Sequence, residues 1–320
     1  MVATIVVTYN RLAYLKDLIA SLRGQTYGDN AIVVVNNGST DGTSEWLASQ
    51  EGLTVISQPN VGGAGGFFTG LKYAAEHGFD HCWIMDDDVL CRPDSLAELM
   101  AAMRVRPNAG FVCSRVVGES GKAMNVPSAD TRGLPNGDYP DTYDLVVSHG
   151  MVKVLSATFV SVLIPTAMLR KHGLPLRQFF IWCDDTEFTL RLSHAEPCYI
   201  ACRSVVTHRR ANEGRLSFLD ERDPRRLRNY HLLYRNRYVY RRRWEEGGSA
   251  IKAFVFDVKT ILRLLLRLDF RHAAPIARGV WESLWFHPRA EFPGEMIDGK
   301  ANHTVTLPPT INFNQQQWTR

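Results

Sequence analysis

The sequence predicts an α/β fold whose sheet is mostly parallel and carries helices on both faces. Short β-branched and apolar runs alternate along the first part of the chain with segments whose apolar residues recur at helical spacing. Polar turns rich in Asn, Asp and Gly follow several of these runs. Because strands that alternate with helices pair in parallel, ligands are expected beyond the carboxyl ends of the strands.

The first part of the chain supplies four predicted strands and three predicted helices. The strands cover residues 2–8, 31–35, 53–57 and 81–85. Asn10 is expected to cap the first helix, and the second helix is expected to start near Trp46. A glycine-rich loop over residues 59–66 precedes the third helix, which is predicted over residues 67–77.

The second part of the chain is predicted to continue with the same kinds of element. Helices are expected over residues 93–104, 166–172 and 184–194, and strands over residues 111–117, 152–155 and 159–164. Residues 118–144 are rich in Gly, Pro, Asn and Asp. They are expected to form a long surface excursion without regular structure.

Composition indicates an ordinary globular protein. Of the 320 residues, 45% are hydrophobic and 22% are charged, and the formal net charge is +4. The six cysteines form no Cys-x-x-Cys pair and no zinc-binding spacing. No leader-like segment opens the chain, and no apolar run is long enough to cross a bilayer. A reducing, cytoplasmic location is therefore expected.

Three aspartates, Asp86, Asp87 and Asp88, follow the fourth predicted strand directly. Because side chains alternate along an extended segment, Asp86 and Asp88 point to one side and share a cation in one interpretation. In the other interpretation they form a solvated acidic turn, with Asp88 or Asp94 capping the next helix. The triplet alone leaves both interpretations open.

The glycine cluster does not match the fingerprint of dinucleotide-binding proteins. Gly63 and Gly65 begin a G-x-G-x-x-G pattern, but Phe68 occupies the third glycine position, and the loop follows the third strand instead of the first. The sequence also lacks a Gly-Lys-Ser/Thr phosphate loop. The glycines are expected to let the backbone approach a ligand at a helix N-terminus, where the helix dipole favours anions.

A second acidic pair, Asp184 and Asp185, lies where another helix is predicted to begin. A helix cap accounts for only one of the two carboxylates. The other, close to Phe180 and Trp182, is expected to have a raised pKa and to serve as a general base. His208 follows an apolar strand, and its role depends on which residues lie beside it.

The C-terminal region is basic and amphipathic. Arginines and tyrosines interleave over residues 225–243, a pattern that fits pyrophosphate and membrane contact or, in the alternative interpretation, a nucleic acid. Over residues 251–268 a strongly apolar helix carries Lys252, Lys259, Arg263 and Arg267 on one face. Such a helix suits an anionic membrane surface, or it packs on the main domain with its charged face in water.

Taken together, these motifs resemble those of family 2 inverting glycosyltransferases with the GT-A fold. The resemblance covers roughly residues 1–240 and rests on four motifs. They are Thr-Tyr-Asn-Arg at 8–11, Asn-Asn-Gly-Ser-Thr-Asp-Gly-Thr at 36–43, the aspartate triplet, and Trp-x-Asp-Asp-x-Glu-Phe at 182–188. Residues 58–67 and 85–89 are similar to those of galactofuranosyltransferases that use UDP-galactofuranose.

The resemblance implies a role for each matching residue. Residues implied to contact the donor nucleotide sugar are Thr8, Asn10, Arg11, Asn37, Asn60, Gly63, Asp86 and Asp87. Those implied to hold Mn²⁺ or Mg²⁺ on the diphosphate are Asp86, Asp88 and His208. Asp185 is implied as the base, with Asp184 and Trp182 shaping the acceptor site, although the choice between the two aspartates stays open. Two positions depart from the family pattern, because Asn37 stands where many relatives have aspartate and Cys183 where the galactan enzymes have tryptophan.

The expected function is metal-dependent transfer of galactofuranose from UDP-galactofuranose to a lipid-linked or polysaccharide acceptor, at the inner face of a bacterial membrane. We expect a GT-A catalytic domain over residues 1–210, divided into a nucleotide-binding half, 1–90, and an acceptor half, 91–210. A helical C-terminal region is expected over residues 211–320. No nucleic acid is expected as a partner, and the oligomeric state stays open. The rival functions are a rhamnosyltransferase that uses dTDP-rhamnose and a nucleotide-sugar binding protein without catalysis.

Overall fold

The fold is a mixed α/β sandwich in which one central sheet lies between two layers of helices. The computed structural model describes residues 1–134, 137–210, 218–245, 247–295 and 304–306. The strands are β1 Val2–Thr8, β2 Asn30–Asn36, β3 Leu53–Ser57, β4 His81–Asp86, β5 Val89–Cys91, β6 Val112–Val117, β7 Ser128–Ala129, β8 Met151–Ser156, β9 Val162–Pro165, β10 Tyr199–His208 and β11 Thr304–Thr306. The helices are α1 Leu12–Arg23, α2 Thr43–Ala48, α3 Gly62–Glu76, α4 Ser95–Val105, α5 Tyr139–His149, α6 Thr166–His172, α7 Asp184–Ala195, α8 Pro224–Trp244, α9 Ser249–Leu266 and α10 Phe270–Ser283.

The sheet is mixed and not mostly parallel as expected, because its second half is mainly antiparallel. Its strand order is β11-β3-β2-β1-β4-β9-β6-β10-β8-β7. Strands β3, β2, β1 and β4 are parallel, as the sequence predicts, so their carboxyl ends share one edge. Strand β9 is antiparallel to both β4 and β6, whereas β10 is parallel to β6. Short β5 pairs antiparallel with the end of β10.

The core has two layers because side chains alternate along β1. Val2 and Val6 point to one face, where they join the leucines of α1 and α4. Ile5 and Val7 point to the other face, where α3, α6 and α7 pack. The predicted α/β class with helices on both faces of the sheet is therefore confirmed.

Helix α3 begins within the predicted loop, at Gly62, five residues before its expected start. The cause is close packing of its glycines on β1. A Cβ atom built on Gly66 would lie 2.4 Å from Val7 Cγ1, and one built on Gly70 would lie 2.4 Å from Ile5 Cγ2. The glycines therefore form a helix that lies closer to the sheet than a helix with side chains could.

Two further local expectations are wrong. The first is that residues 118–144 lack regular structure: α5 begins there, with a proline in its first turn and Gly150 in the left-handed conformation after its end. The second is that Asn10 caps α1. The N-cap residue is Arg11, and the amide of Leu12 donates instead to Asp41 Oδ2 at 3.0 Å.

Helices α8, α9 and α10 form the predicted helical C-terminal region. Helix α8 packs on both α7 and α10, and α10 packs on α9. Asp257 of α9 is fully buried, where it forms an ion pair with Arg237 and accepts a hydrogen bond from Tyr238 of α8 at 2.8 Å. Within the described ranges, the helices are too short or too polar for any of them to cross a bilayer.

Gly70→Ala is expected to destabilise the protein by about 1–3 kcal/mol, because the added methyl group overpacks the contact between α3 and β1. The matched control is Gly63→Ala in the same helix, where nothing lies within 4 Å of an added Cβ. That change is expected to be neutral or stabilising by up to about 1 kcal/mol. Urea unfolding of both variants measures the difference, and equal stabilities would contradict the close packing.

Candidate active site

The aspartate triplet lies at the shared edge where the parallel strands end. Strand β4 ends at Asp86, and Asp87 and Asp88 form the turn into β5. Pairing of β5 with β10 sets His208 opposite Val89, and the amide of Arg209 donates to the Asp88 carbonyl at 2.8 Å. This pairing brings His208 beside a carboxylate that precedes it by 120 positions in the chain.

Asp86, Asp88 and His208 form a cluster whose candidate ligand atoms all lie within 4.8 Å of one another. Asp88 Oδ1 lies 3.1 Å from His208 Nε2, yet it is buried without a hydrogen bond of good geometry to any described residue. Asn125 Oδ1, 2.9 Å from His208 Nδ1, fixes the orientation of the ring. Two carboxylates and an oriented imidazole suit Mn²⁺ or Mg²⁺, and the unsatisfied oxygen is where such an ion would bind.

Arg11 partly neutralises the triplet. Its Nη1 atom lies 2.5 Å from Asp88 Oδ2 and 3.4 Å from Asp87 Oδ1. Burial alone would raise the pKa of Asp88, but His208 and Arg11 outweigh it and lower that pKa. Burial raises the pKa of Asp87 to about 6, despite Arg11 and a hydrogen bond of 2.8 Å from Thr8.

Asp86 is the residue of the triplet with the least compensation. Burial and the negative charges of Asp88 and Asp87 raise its pKa well above the ordinary carboxyl value. The charge of Asp184 raises that pKa further, whereas Arg11 lowers it. Asp86 and Asp184 therefore interact electrostatically, although 98 positions separate them in the chain.

Asn37 and Asn60 shape the turn that leads into α3. Asn37 is buried; its Oδ1 accepts from Gln58 Nε2 at 2.9 Å, and its Nδ2 donates to the Gly62 carbonyl at 3.0 Å. Asn60 Oδ1 accepts from the Gly62 amide at 2.9 Å. The side-chain amide of Asn37 is thus used inside the protein, and its contact with a nucleotide stays a prediction.

Thr8, Asn10 and Gly63 occupy the same edge of the sheet. Thr8 is fully buried behind Asp87, to which it donates. Asn10 is exposed in a left-handed conformation with φ of 53°, and its Oδ1 accepts from the Thr40 amide at 2.6 Å. Gly63 leaves open space where a side chain would be. Their contacts with the donor nucleotide sugar remain predictions, but each residue lies at the edge of the sheet where the parallel strands have their carboxyl ends.

The glycine stretch contacts the segment that precedes α7. Gly62 has φ of +79°, and a Cβ atom there would lie 2.0 Å from the Phe180 carbonyl oxygen. The amide of Ala64 donates to the same oxygen at 3.1 Å. Only glycine fits at position 62, because both the backbone conformation and the available space exclude a side chain.

The segment before α7 has an unusual backbone that sequence reasoning did not identify. Phe180, Trp182 and Cys183 all have positive φ values, of 65°, 65° and 66°. Fully buried Asn236 of α8 holds them, donating from Nδ2 to the carbonyls of Phe179, Ile181 and Trp182 at 3.0 Å each. Nothing in the sequence marks Asn236, which lies among arginines and tyrosines about fifty positions downstream.

Asp184 and Asp185 are the first two residues of α7, and the N-cap residue is Cys183, so the expectation that one aspartate caps the helix is wrong. Burial, followed by the charge of Asp185, raises the pKa of Asp184 to about 8. Burial also raises the pKa of Asp185, whose Oδ1 accepts from the Thr186 amide at 2.6 Å. Trp182 stacks on Tyr230 with ring centroids 4.7 Å apart. The arrangement places two carboxyl groups of perturbed pKa beside an aromatic wall.

The fold is that of GT-A glycosyltransferases. The chain is similar to a mannosyltransferase from Pyrobaculum calidifontis, solved in complex with GDP-Man and Mn²⁺, with a TM-score of 0.51 and 19% identity. The superposition covers 89% of this chain and 87% of that one, and it shows a shared fold. The family model described as Glycosyl transferase family 2 matches residues 4–160. The match covers just under half of the chain.

Curated relatives match over shorter stretches. The chain is 29% identical over 133 residues to the undecaprenyl-phosphate mannosyltransferase of Micrococcus luteus, covering 40% of this chain and 53% of the relative. It is 40% identical over 91 residues to the galactofuranosyltransferase GlfT1 of Mycobacterium tuberculosis, covering 27% of this chain and 30% of the relative. The matches therefore span about half or less of the length of these relatives.

Asn236→Leu is expected to destabilise the protein by about 1–3 kcal/mol or more, because it leaves the buried carbonyls before α7 without their donor. Asn229→Leu, the same change at an exposed position of α8, is the matched control and is expected to stay within about 0.5 kcal/mol of the parent. Urea unfolding followed by circular dichroism measures both. Equal stability of the two variants would show that Asn236 does not hold this segment.

Proposed function

We propose that this protein is a metal-dependent inverting glycosyltransferase that moves galactofuranose from UDP-galactofuranose to a lipid-linked or polysaccharide acceptor. The observation that carries the proposal is the cluster of Asp86, Asp88 and His208, whose candidate ligand atoms lie within 4.8 Å of one another, with Asp184 near enough for its charge to raise the pKa of Asp86. In a displacement with inversion, a cation can stabilise the leaving group on one side of the sugar while a base removes the acceptor's proton on the other. The aspartate triplet with His208 would hold the cation, and the aspartates of α7 would supply the base.

The leaving-group side is assigned to Asp86, Asp88 and His208. These residues would hold Mn²⁺ or Mg²⁺, which acts as a Lewis acid on the departing diphosphate. Arg11, which is ion-paired with Asp88 and Asp87, adds a fixed positive charge beside them. Thr8, Asn10, Asn37, Asn60, Gly63 and Asp87 are assigned to the uridine and the sugar.

The acceptor side is assigned to Asp185 and Asp184. As the acceptor oxygen bonds to the anomeric carbon, its proton passes to the Asp185 carboxylate, and the bond from carbon to the diphosphate oxygen breaks with its electron pair on UDP. The hydrogen bond from the Thr186 amide favours the charged form of Asp185. Asp184, with a pKa of about 8, remains mostly protonated at neutral pH and donates a hydrogen bond to the acceptor glycan. Trp182 forms the wall of the acceptor site.

The choice of galactofuranose rests on the 91 residues that align with GlfT1 at 40% identity. Residues 1–210 are assigned to catalysis and residues 211–320 to acceptor and membrane contact at the inner face of the membrane. The mannosyltransferase of Micrococcus luteus, aligned at 29% identity, makes a mannose nucleotide a reasonable competitor to include in tests.

A donor panel with product mass detection tests the proposal. The full chain is incubated with Mn²⁺, an acceptor extract, and UDP-galactofuranose, dTDP-rhamnose or GDP-mannose in turn. We expect turnover with UDP-galactofuranose and a loss of about 10²- to 10⁴-fold in kcat for Asp185→Asn, because general-base help is removed. Asp144→Asn, a change of an exposed aspartate outside the cleft, is the matched control.

Three outcomes decide between the proposed function, its rivals and the two candidates for the base. Turnover with only dTDP-rhamnose or GDP-mannose would reject UDP-galactofuranose as the donor. Binding of a nucleotide sugar without any turnover would favour a non-catalytic protein. Retention of the rate by Asp185→Asn together with its loss in Asp184→Asn would move the base to Asp184. Unfolding midpoints of all variants confirm that only folded proteins are compared.

Loss of His208 is expected to weaken Mn²⁺ binding. His208→Ala deletes one of the three proposed ligands, so the loss of affinity is expected to be about 100-fold or more, at least as large as that caused by changing only a hydrogen-bond partner of a ligand. Titration calorimetry with Mn²⁺ alone measures the affinity. His287→Ala, at an exposed histidine far along the chain, is the control. Equal Mn²⁺ affinity in the parent and His208→Ala would remove His208 from the site.

A further inference from the structure

Helix α9 presents an apolar face to solvent on the side opposite its packed face. Ile251, Phe254, Leu262 and Leu266 recur at helical spacing and are 70%, 46%, 55% and 87% exposed. Residues on the opposite face pack inward, with Asp257 buried against α8. A face this apolar on a helix already anchored to the protein indicates a further contact surface.

Helix α10, for which the sequence led to no such expectation, also presents large apolar side chains to solvent. Trp281 and Trp285 are 64% and 73% exposed, while Ala273 and Ile276 are buried against α8 and α9. Gly279 lets α10 approach α8 closely, because a Cβ there would lie 2.4 Å from the His231 carbonyl oxygen. The tryptophans therefore point away from a tightly packed helix pair.

The turn between the two helices continues the apolar surface. Leu268 lies in this turn with φ of 58° and is 75% exposed, and Phe270 at the start of α10 is 60% exposed. Together with Leu266 they form an apolar tip, in which Asp269 is ion-paired with His272. We call α9, this turn and α10 the two-helix surface.

Basic side chains border the two-helix surface. Lys252, Lys259 and Arg263 recur at helical spacing beside the apolar face of α9, and Arg267 lies in the turn. Across the part of the chain that the structure describes, no acidic group pairs with these four. The one carboxylate of α9, Asp257, is buried and already bound to Arg237 and Tyr238. An apolar face bordered by unpaired cations complements the interface of an anionic bilayer.

We propose that the two-helix surface binds a membrane that contains anionic phospholipid, with its apolar tip and tryptophans among the acyl chains and its cations at the phosphate level. Large aromatic side chains such as Trp281 and Trp285 favour the boundary between headgroups and acyl chains. Because no described helix is suited to crossing a bilayer, the surface lies on the membrane instead of spanning it. The proposal extends the membrane contact of the proposed function from α9 to a composite surface.

The two-helix surface also has a direct connection to the acceptor side of the cleft. On α8, Tyr234 packs in the same apolar cluster as Leu264 of α9 and Ile276 of α10. Two positions further along α8, Asn236 holds the segment before α7. A membrane bound at the two-helix surface is therefore coupled through one helix to the segment that carries Asp184 and Asp185, as an acceptor carried on a lipid requires.

Vesicle flotation with the full chain tests the proposal. Vesicles are made of phosphatidylcholine alone or of phosphatidylcholine mixed with phosphatidylglycerol. We expect binding that is strongest to the mixed vesicles. The apolar variant combines Leu266→Ser, Trp281→Ser and Trp285→Ser and is expected to lose binding to both kinds of vesicle. Its matched control removes three exposed apolar side chains of α5 through Tyr139→Ser, Tyr143→Ser and Val147→Ser and is expected to bind as the parent.

A charge variant separates the two contributions. Replacing Lys259, Arg263 and Arg267 with Gln is expected to lower partition onto the mixed vesicles about five-fold per charge, and on the order of 100-fold in total. Its control has the same change in net charge at exposed positions elsewhere, Arg104→Gln, Lys122→Gln and Arg203→Gln. Equal losses in both charge variants would reduce the effect to net charge and overturn the assignment.

Two more outcomes would overturn the proposal. One is a folded parent that binds neither kind of vesicle. The other is a parent that sedimentation shows to be a dimer and that the apolar variant makes monomeric, because the surface would then be covered by a second copy. Transfer of the sugar to a short water-soluble acceptor is assayed in parallel. A variant that no longer binds vesicles but still transfers the sugar separates the membrane surface from catalysis. A parent that binds vesicles but transfers no sugar would reject the proposed function and leave the membrane surface intact.

Discussion

Repulsion between like charges in one cleft is the constraint that the surrounding structure has to balance. The charges of Asp88 and Asp184 both raise the pKa of Asp86, and Asp88 and Asp184 are themselves buried. Arg11 and His208 offset the charge at the triplet. At the N-terminus of α7 the helix dipole favours negative charge, and the Thr186 amide donates to Asp185. The charge balance therefore depends on contributions from β10, α1 and α7 together.

The segment before α7 shows how the protein maintains that arrangement. Left-handed conformations at residues other than glycine cost on the order of 1–3 kcal/mol each, and this segment contains three. Asn236 donates to carbonyls of this segment from one side. From the other side the Ala64 amide donates to the Phe180 carbonyl, for which Gly62 leaves room. The glycine cluster is thus explained by contact between two halves of the cleft, as well as by any approach to a ligand.

Helix α8 connects the parts of the molecule that the domain boundaries of the sequence separated. It carries Asn236, packs on α10, and binds buried Asp257 of α9 through Arg237 and Tyr238. Removing one partner of such a buried ion pair usually costs several kcal/mol, because the other charge is left buried and uncompensated. The C-terminal helices are consequently part of the same packed unit as the segment that holds Asp184 and Asp185.

The sequence by itself determined the order of strands and helices around β1 to β4 and the position of each acidic motif at an expected strand or helix end. These features depend on local patterns, such as β-branched runs and helical spacing. Only the tertiary structure decided that His208 lies beside Asp88, because this depends on the pairing of β5 with β10. Likewise, the helical state of the glycines at α3, the role of Asn236 and the exposure of α10 arise from neighbours distant in the chain. No local pattern encodes such neighbours, since they are brought together only when the whole chain packs.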